Sequence, residues 1–225
     1  MYIYLPLKQI KQLYIMKKLL LIAAVAFLGI SSVKAQEIEF GVKGGLNVAT
    51  LGGDASDDYD LDSRVGFHVG GFVEIPLSEK ITFQPELLYS MQGAQLNLVY
   101  TDGLNSVSSE AKLKLDYINV PFMFKYEVVD NLAVEVGPQI GFLINAKGEV
   151  EASVSGESGS YSDEIDVKDQ YSTIDFAANL GVSYEFDMGL FAGARYNFGL
   201  IDIEEESDDY SEINNVFQLS IGYKF

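Results

Sequence analysis

A period of two, repeated eight times, constrains this chain more than any other feature of its sequence. In EIEFGVKGGLNVA, Ile38, Phe40, Val42, Leu46 and Val48 fall on one side, and Glu37, Glu39, Lys43 and Asn47 on the other. That is the pattern of a strand with one apolar face. VGFHVGGFVEI repeats it with Val65, Phe67, Val69, Val73 and Ile75 against His68 and Glu74. ITFQPELLYSMQ sets Ile81, Phe83, Leu87, Tyr89 and Met91 against Gln84, Glu86 and Ser90. AKLKLDYINVPFMFKY, LAVEVGPQIGFLI, STIDFAANLGVSYEF, GLFAGARYNFGL and the closing VFQLSIGYKF complete eight expected strands. Between Ala111 and Tyr126 the apolar phase moves from Leu113, Leu115 and Tyr117 to Ile118, Val120, Phe122 and Phe124, which predicts a bulge in that strand. Pro121 and Pro138 cannot donate to a ladder and are awkward there.

The connectors alternate as well. PLSEK, EVVDN and DM are of hairpin length, whereas TLGGDASDDYDLDSR, GAQLNLVYTDGLNSVSSE, NAKGEVEASVSGESGSYSDEIDVKDQ and IDIEEESDDYSEI are long and polar. Short turns on one rim and long loops on the other predict an all-β fold: an eight-stranded antiparallel up-and-down transmembrane β-barrel with short periplasmic turns and long acidic extracellular loops. A lipocalin-like barrel also has eight strands, with the apolar face turned inward around a ligand. Charged residues on the minority face, aromatics at strand ends and a terminal phenylalanine favour the membrane arrangement. Eight strands enclose only enough space for their own side chains, so a filled lumen and no diffusive channel are expected.

From Met16, MKKLLLIAAVAFLGISSVKA carries two lysines, an apolar run from Leu19 to Ile30 and a small-residue end. This predicts a secretory signal peptide over 16–35. The run is too short for the roughly 20 residues of a spanning helix. Residues 1–15 have no place in such a signal and read as an upstream mis-start, leaving 36–225 as the barrel domain. Net charge is −18. Without the leader lysines Lys8, Lys11, Lys17, Lys18 and Lys34, 33 acids face 10 bases, a net −23. Such a charge repels phosphates and argues against nucleic-acid binding. The absence of cysteine means that no disulfide holds the exported domain.

FGVKGGLNVATLGGD, FQPELLYS, LDYINVPFMFKY, VGPQIGF, ARYNFGL and FQLSIGYKF, in this order from Glu37 to Phe225, together resemble the PorT-like, porin-like outer-membrane β-barrel family of Bacteroidetes-type bacteria. The resemblance implies the fold and residence in the cell outer membrane, among its lipids, and a link to protein secretion through the name-giving member. It also implies that a last strand ending on Phe225 acts as the assembly signal read by the barrel-assembly machinery, and that this strand closes the barrel against the first.

Within the lumen, Glu86 lies five residues above Ile81, and Arg195 six above Gly189, on strands opposite each other in an eight-strand ring. They either pair directly, since a guanidinium reaches a carboxylate with two donors, or each meets lumenal water. Lys43 enters at the same level and is expected to join this structural charge network. His68, the single histidine, has lumenal parity and is expected to be hydrogen-bonded to neighbours rather than catalytic. No catalytic residue, cofactor or resident metal is assigned. Asp58, Asp60 and Asp62 mimic the start of an EF-hand, but Ser63 stands where glycine belongs and Val69 where the bidentate glutamate belongs. The acidic loops are thus solvated chains or weak collectors of divalent cations. The expected molecule is a non-enzymatic monomer with a structural or interaction role through its loops. A secretion or surface-assembly component is the alternative, and a membrane-embedded lipid hydrolase a third.

Overall fold

The computed structural model describes residues 38–53, 62–102, 105–154, 160–204 and 211–225. Residues 1–37, with the expected signal peptide, most of the first acidic loop and 205–210 of the fourth lie outside them. Nine strands form among the described residues: β1 (Glu39–Gly52), β2 (Asp62–Pro76), β3 (Ile81–Asp102), β4 (Asn105–Val129), β5 (Leu132–Val154), β6 (Ser160–Asp166), β7 (Ile174–Glu185), β8 (Leu190–Gly199) and β9 (Ile213–Lys224). Eight of them make a closed antiparallel ring in the order β1-β2-β3-β4-β5-β7-β8-β9, and β6 pairs only with β5 outside it. The ring closes where β1 meets β9, from Gly41 opposite Lys224 to Gly52 opposite Ile213. A closed ring leaves no unpaired edge within its wall.

Alternation sorts the side chains as the period requires. Phe40, Leu46, Val65, Leu87, Val136, Leu180 and Ile221 are exposed around the outside. An apolar surface of this extent suits hydrocarbon, not water. The opposite parity buries Lys43, Asn47, His68, Glu86, Gln139, Asn179, Arg195 and Gln218. Short connections join β4 to β5 and β7 to β8, where Asn131 takes φ 69° and Met188 φ 68°. Asparagine tolerates the left-handed region, and its N–H is held by Glu127 Oε1 at 3.1 Å.

Three expectations need correction. First, the phase change between Ala111 and Tyr126 is not a bulge of β4: Leu115, Tyr117, Asn119 and Met123 all point inward without a break. The extra residue is on its partner, since Asp116 pairs with Asn145 and Tyr117 with Leu143, leaving Ile144 between them. Second, the apolar phase of β4 changes because the lumen itself changes. Leu51, Ala94, Leu115, Tyr117, Leu143 and Ala146 form an apolar core inside the long-connection end, joined by Val167 and Ile203 from the connections. Third, the second long connector is sheet rather than loop, and the third is largely so. β3 pairs with β4 out to Asp102 opposite Asn105, and the extended β5 pairs with β6. At 22, 25 and 23 residues, β3, β4 and β5 far exceed the 9–11 that a tilted spanning strand needs. Pro121 and Pro138 both lie inside continuous strands.

Candidate functional site

The charged layer sits toward the short-turn end of the lumen. Arg195 donates from Nη1 to Glu86 Oε2 at 3.0 Å and from Nη2 to Glu86 Oε1 at 2.8 Å. Its Nη2 also donates to Glu135 Oε2 at 2.8 Å. Lys43 Nζ approaches Glu86 Oε2 to 2.6 Å. All four side chains are buried, so two cations balance two carboxylates in a compact cluster. The structure therefore brings Glu86, Arg195 and Lys43 together, as bidentate geometry favours. Glu135 was not among the residues singled out from the sequence. Its signal was available, because it shares lumenal parity with Gln139 in LAVEVGPQ.

Below this layer Lys224 Nζ contacts Glu185 at 2.5 Å, Glu74 at 3.2 Å and Glu39 at 3.3 Å, joining β9 to β7, β2 and β1. Lys125 reaches Glu74 at 2.7 Å. Phe225 lies just past this cluster, its N–H donating to Phe40 O at 2.9 Å and its ring exposed against Tyr223. The final aromatic is therefore tied into the closing seam by its backbone, with its ring on the lipid side.

Above the charged layer lies His68. Its Nδ1 stands 2.7 Å from Asn47 Oδ1 and its Nε2 2.8 Å from Ser220 Oγ. Serine, imidazole and an orienting amide in series is the arrangement that activates a nucleophile. Here the chemistry lacks room. The cavity that Ser220 lines with Lys43, Gln84, Glu135 and Arg195 holds about 10 Å³, the space of one water. Asn47 is also committed elsewhere, accepting from Gln218 Nε2 at 3.0 Å and donating to Ser90 Oγ at 2.9 Å. The arrangement works as packing and hydrogen bonding within a filled lumen. Purified barrel in planar bilayers is accordingly expected to give no steady large conductance, and a long-lived opening of porin size would contradict the filled interior.

Outside the barrel wall, the extended strands carry a charged face. Lys112 lies opposite Glu149, and Lys114 opposite Lys147. Lys114 approaches Glu149 at 2.8 Å, and Lys147 approaches Glu164 at 2.6 Å. Hydrogen bonds from Lys147 and Lys114 hold the Glu164 carboxyl below the usual carboxylate range. Asp62, the described member of the EF-hand-like run, accepts from Asn97 Nδ2 at 2.9 Å; Asp58 and Asp60 lie outside the described residues.

The sequence profile described as "Outer membrane protein beta-barrel domain" matches residues 34–205. Among solved structures, Neisserial surface protein A is 15% identical, with 84% of this chain and 100% of that chain covered and a TM-score of 0.47. Ail, the attachment invasion locus protein of Yersinia pestis, is 16% identical over 84% of this chain and 100% of its own, with a TM-score of 0.41. The outer membrane protease OmpT from Escherichia coli is 10% identical over 84% and 93%, with a TM-score of 0.38. No curated protein sequence matches significantly.

Proposed function

Because the chain belongs to the outer membrane protein β-barrel domain family, we propose that its barrel is a non-enzymatic membrane anchor for the sheet that β3 to β6 raise above the wall. The barrel resides in the cell outer membrane. The observation that carries the proposal is the continuation of ladder pairing beyond the ring, through Asp102 opposite Asn105 and Ser153 opposite Ser160. A solvated loop needs no such ladder. One face of this sheet carries Glu110, Lys112, Lys114, Lys147, Glu149 and Glu151, while Leu113 and Val150 share the other. Among the described residues, β3 beyond the pairing of Asp62 with Gln95 has ladder partners only on β4, and β6 only on β5. Two open edges flanking a charged face form a surface for contacts outside the cell. Residues 16–35 direct export and are removed, the barrel-assembly machinery inserts residues 36–225, and the barrel works as a monomer.

The test compares the natural protein with a form in which residues 97–110 and 149–164 are replaced by short turns. Both are expected to fractionate with outer membranes and to show heat-modifiable gel mobility, because the trimmed residues lie outside the ring. Only the natural protein is expected to cross-link, through a photoreactive group at position 147, which both forms keep, to an external partner on intact cells. Equal cross-linking at a lipid-facing position such as 180 would overturn the contact role. Deleting Phe225 is expected to impair assembly of both forms. The resemblance to PorT-like proteins supports a second reading, a component of a secretion or surface-assembly system. It predicts defined envelope partners in a detergent pull-down, recovered with the trimmed form as readily as with the natural one.

A further inference from the structure

The ladder between β1 and β9 joins the first strand of the ring to the last, so no turn holds it in register. Two lumenal glycines stand in it, Gly41 opposite Lys224 and Gly222 opposite Lys43. Each has a phenylalanine as its neighbour on the other side. Gly41 pairs with Phe72 on β2, and Gly222 with Phe191 on β8. A Cβ on Gly41 would lie 2.6 Å from Phe72 Cε1 and 2.8 Å from its Cε2, and nearer still to Cζ. One on Gly222 would collide with Phe191 Cζ and Cε1. Each ring therefore lies over the bare backbone of the terminal strand beside it, where an aromatic makes good the side chain that a strand glycine lacks.

The two rings lean toward each other from opposite sides of the seam and meet. Their centroids are 5.4 Å apart and their planes stand at 81°, an edge-to-face pair. Both side chains are buried. Lys125 Nζ lies 5.9 Å from the Phe191 centroid, within the range of a cation–π contact. Phe191 also lines the small cavity beside Lys43, Glu135 and Arg195, which sets the rings against the charged layer. β2 and β8 are not neighbours in the ring, since β1 and β9 stand between them. The pair thus ties together two strands that share no ladder, across the one join in the wall that chain connectivity does not make.

We infer that Phe72 and Phe191 are a clasp that locks the barrel at its closing seam, each ring seated on a glycine of a terminal strand and the pair bridging β2 to β8 over both. Parting β1 from β9 leaves two unpaired edges in the wall, which hydrocarbon penalises heavily. With the clasp in place the rings must also separate before those edges can part, so the two events become one. The effect is local. The clasp sets how often the β1–β9 ladder opens, while a ladder across the ring, such as β4–β5, opens by its own equilibrium.

The experiment measures amide hydrogen exchange of the full chain folded in detergent, by mass spectrometry of peptides from β1, β9 and β4–β5, in urea below the unfolding transition. Phe72→Leu and Phe191→Leu are each expected to speed exchange in β1 and β9 by roughly two- to tenfold, the range that an aromatic pair contributes beyond its buried area, with β4–β5 unchanged. The double variant is expected to be little faster than either single one, because the second ring has already lost its partner. Met123→Ala removes a buried lumenal side chain on β4 and is expected to leave the seam no faster than the rest of the wall. Unchanged seam exchange in both single variants would overturn the inference. So would acceleration by one common factor in every ladder, which would make the two phenylalanines ordinary filling. Should a leucine variant fail to fold, Gly41→Ala decides: its methyl displaces the Phe72 ring while both rings remain in the chain, and it is expected to loosen the seam alone.

Discussion

Arg195→Gln is expected to cost the folded barrel about 3–5 kcal/mol, the range for breaking one side of a buried ion pair. The loss comes from what is left behind. Glu86 and Glu135 would remain buried with only the Lys43 ammonium between them, where the natural protein sets two cations against two carboxylates. Glu86→Gln leaves the opposite excess, Lys43 and Arg195 against Glu135 alone. The double variant restores balance, with Lys43 facing Glu135, and is expected to be no less stable than the worse single change. Urea unfolding of the four proteins in detergent measures the cycle. Additive losses would show that the two groups meet lumenal water instead of each other.

Gly45→Ala is expected to be more damaging than its neighbour Gly44→Ala, although the two substitutions are chemically the same. A Cβ on Gly45 would lie 1.8 Å from the backbone oxygen of Leu219 on β9, while one on Gly44 would lie 3.4 Å from His68 O and 3.8 Å from Val69 Cγ2, an ordinary contact. Gly45 stands in the β1–β9 seam, opposite Ser220. The obstacle there is backbone, which cannot rotate away, so the seam must open. Overpacking usually costs about 1–3 kcal/mol, and a collision with the closing ladder belongs at or above the top of that range. Heat-modifiable gel mobility reads the outcome directly. Gly45→Ala is expected to lose the compact band that Gly44→Ala retains, and equal folding of the two would sink the argument.

The charged layer shows how a site can be read from a one-dimensional pattern. In a barrel of regular antiparallel strands, parity gives the face of a residue and distance from the turn gives its height. Those two coordinates were enough to place Glu86 near Arg195 and Lys43. Glu135 follows the same rule and needed only to be counted from Leu132. The lumenal asparagines were harder, because asparagines on a polar face look alike whether they meet one another or water. Their distinction lies in which atoms remain without partners, and that depends on the turn of each amide plane.

The extended sheet was misread for a different reason. Strand periodicity is visible where one face meets hydrocarbon, and beyond the membrane both faces can be polar. KGEVEASV alternates, but SYSDEID has acids on both parities, which resembles a solvated loop until the pairing of Glu149 with Glu164 is seen. The bulge failed similarly. Leu113, Leu115 and Tyr117 broke the apolar phase of β4, and a slip of the strand was the simplest explanation if the lumen stays polar along its length. The lumen becomes apolar at that end, so the strand keeps its parity while its surroundings change.

The sequence by itself determined the number of strands in the ring, the faces they present and the charged layer between them. These follow from two local facts, the period of two and the lengths of the turns, together with a membrane that admits only apolar side chains on one face. Tertiary structure alone decided the position of the bulge, the apolar core drawn from four strands and two connections, and the sheet above the wall. Each depends on residues far apart in the chain meeting across the lumen or along a ladder, and a periodic pattern carries no information about which partner is met.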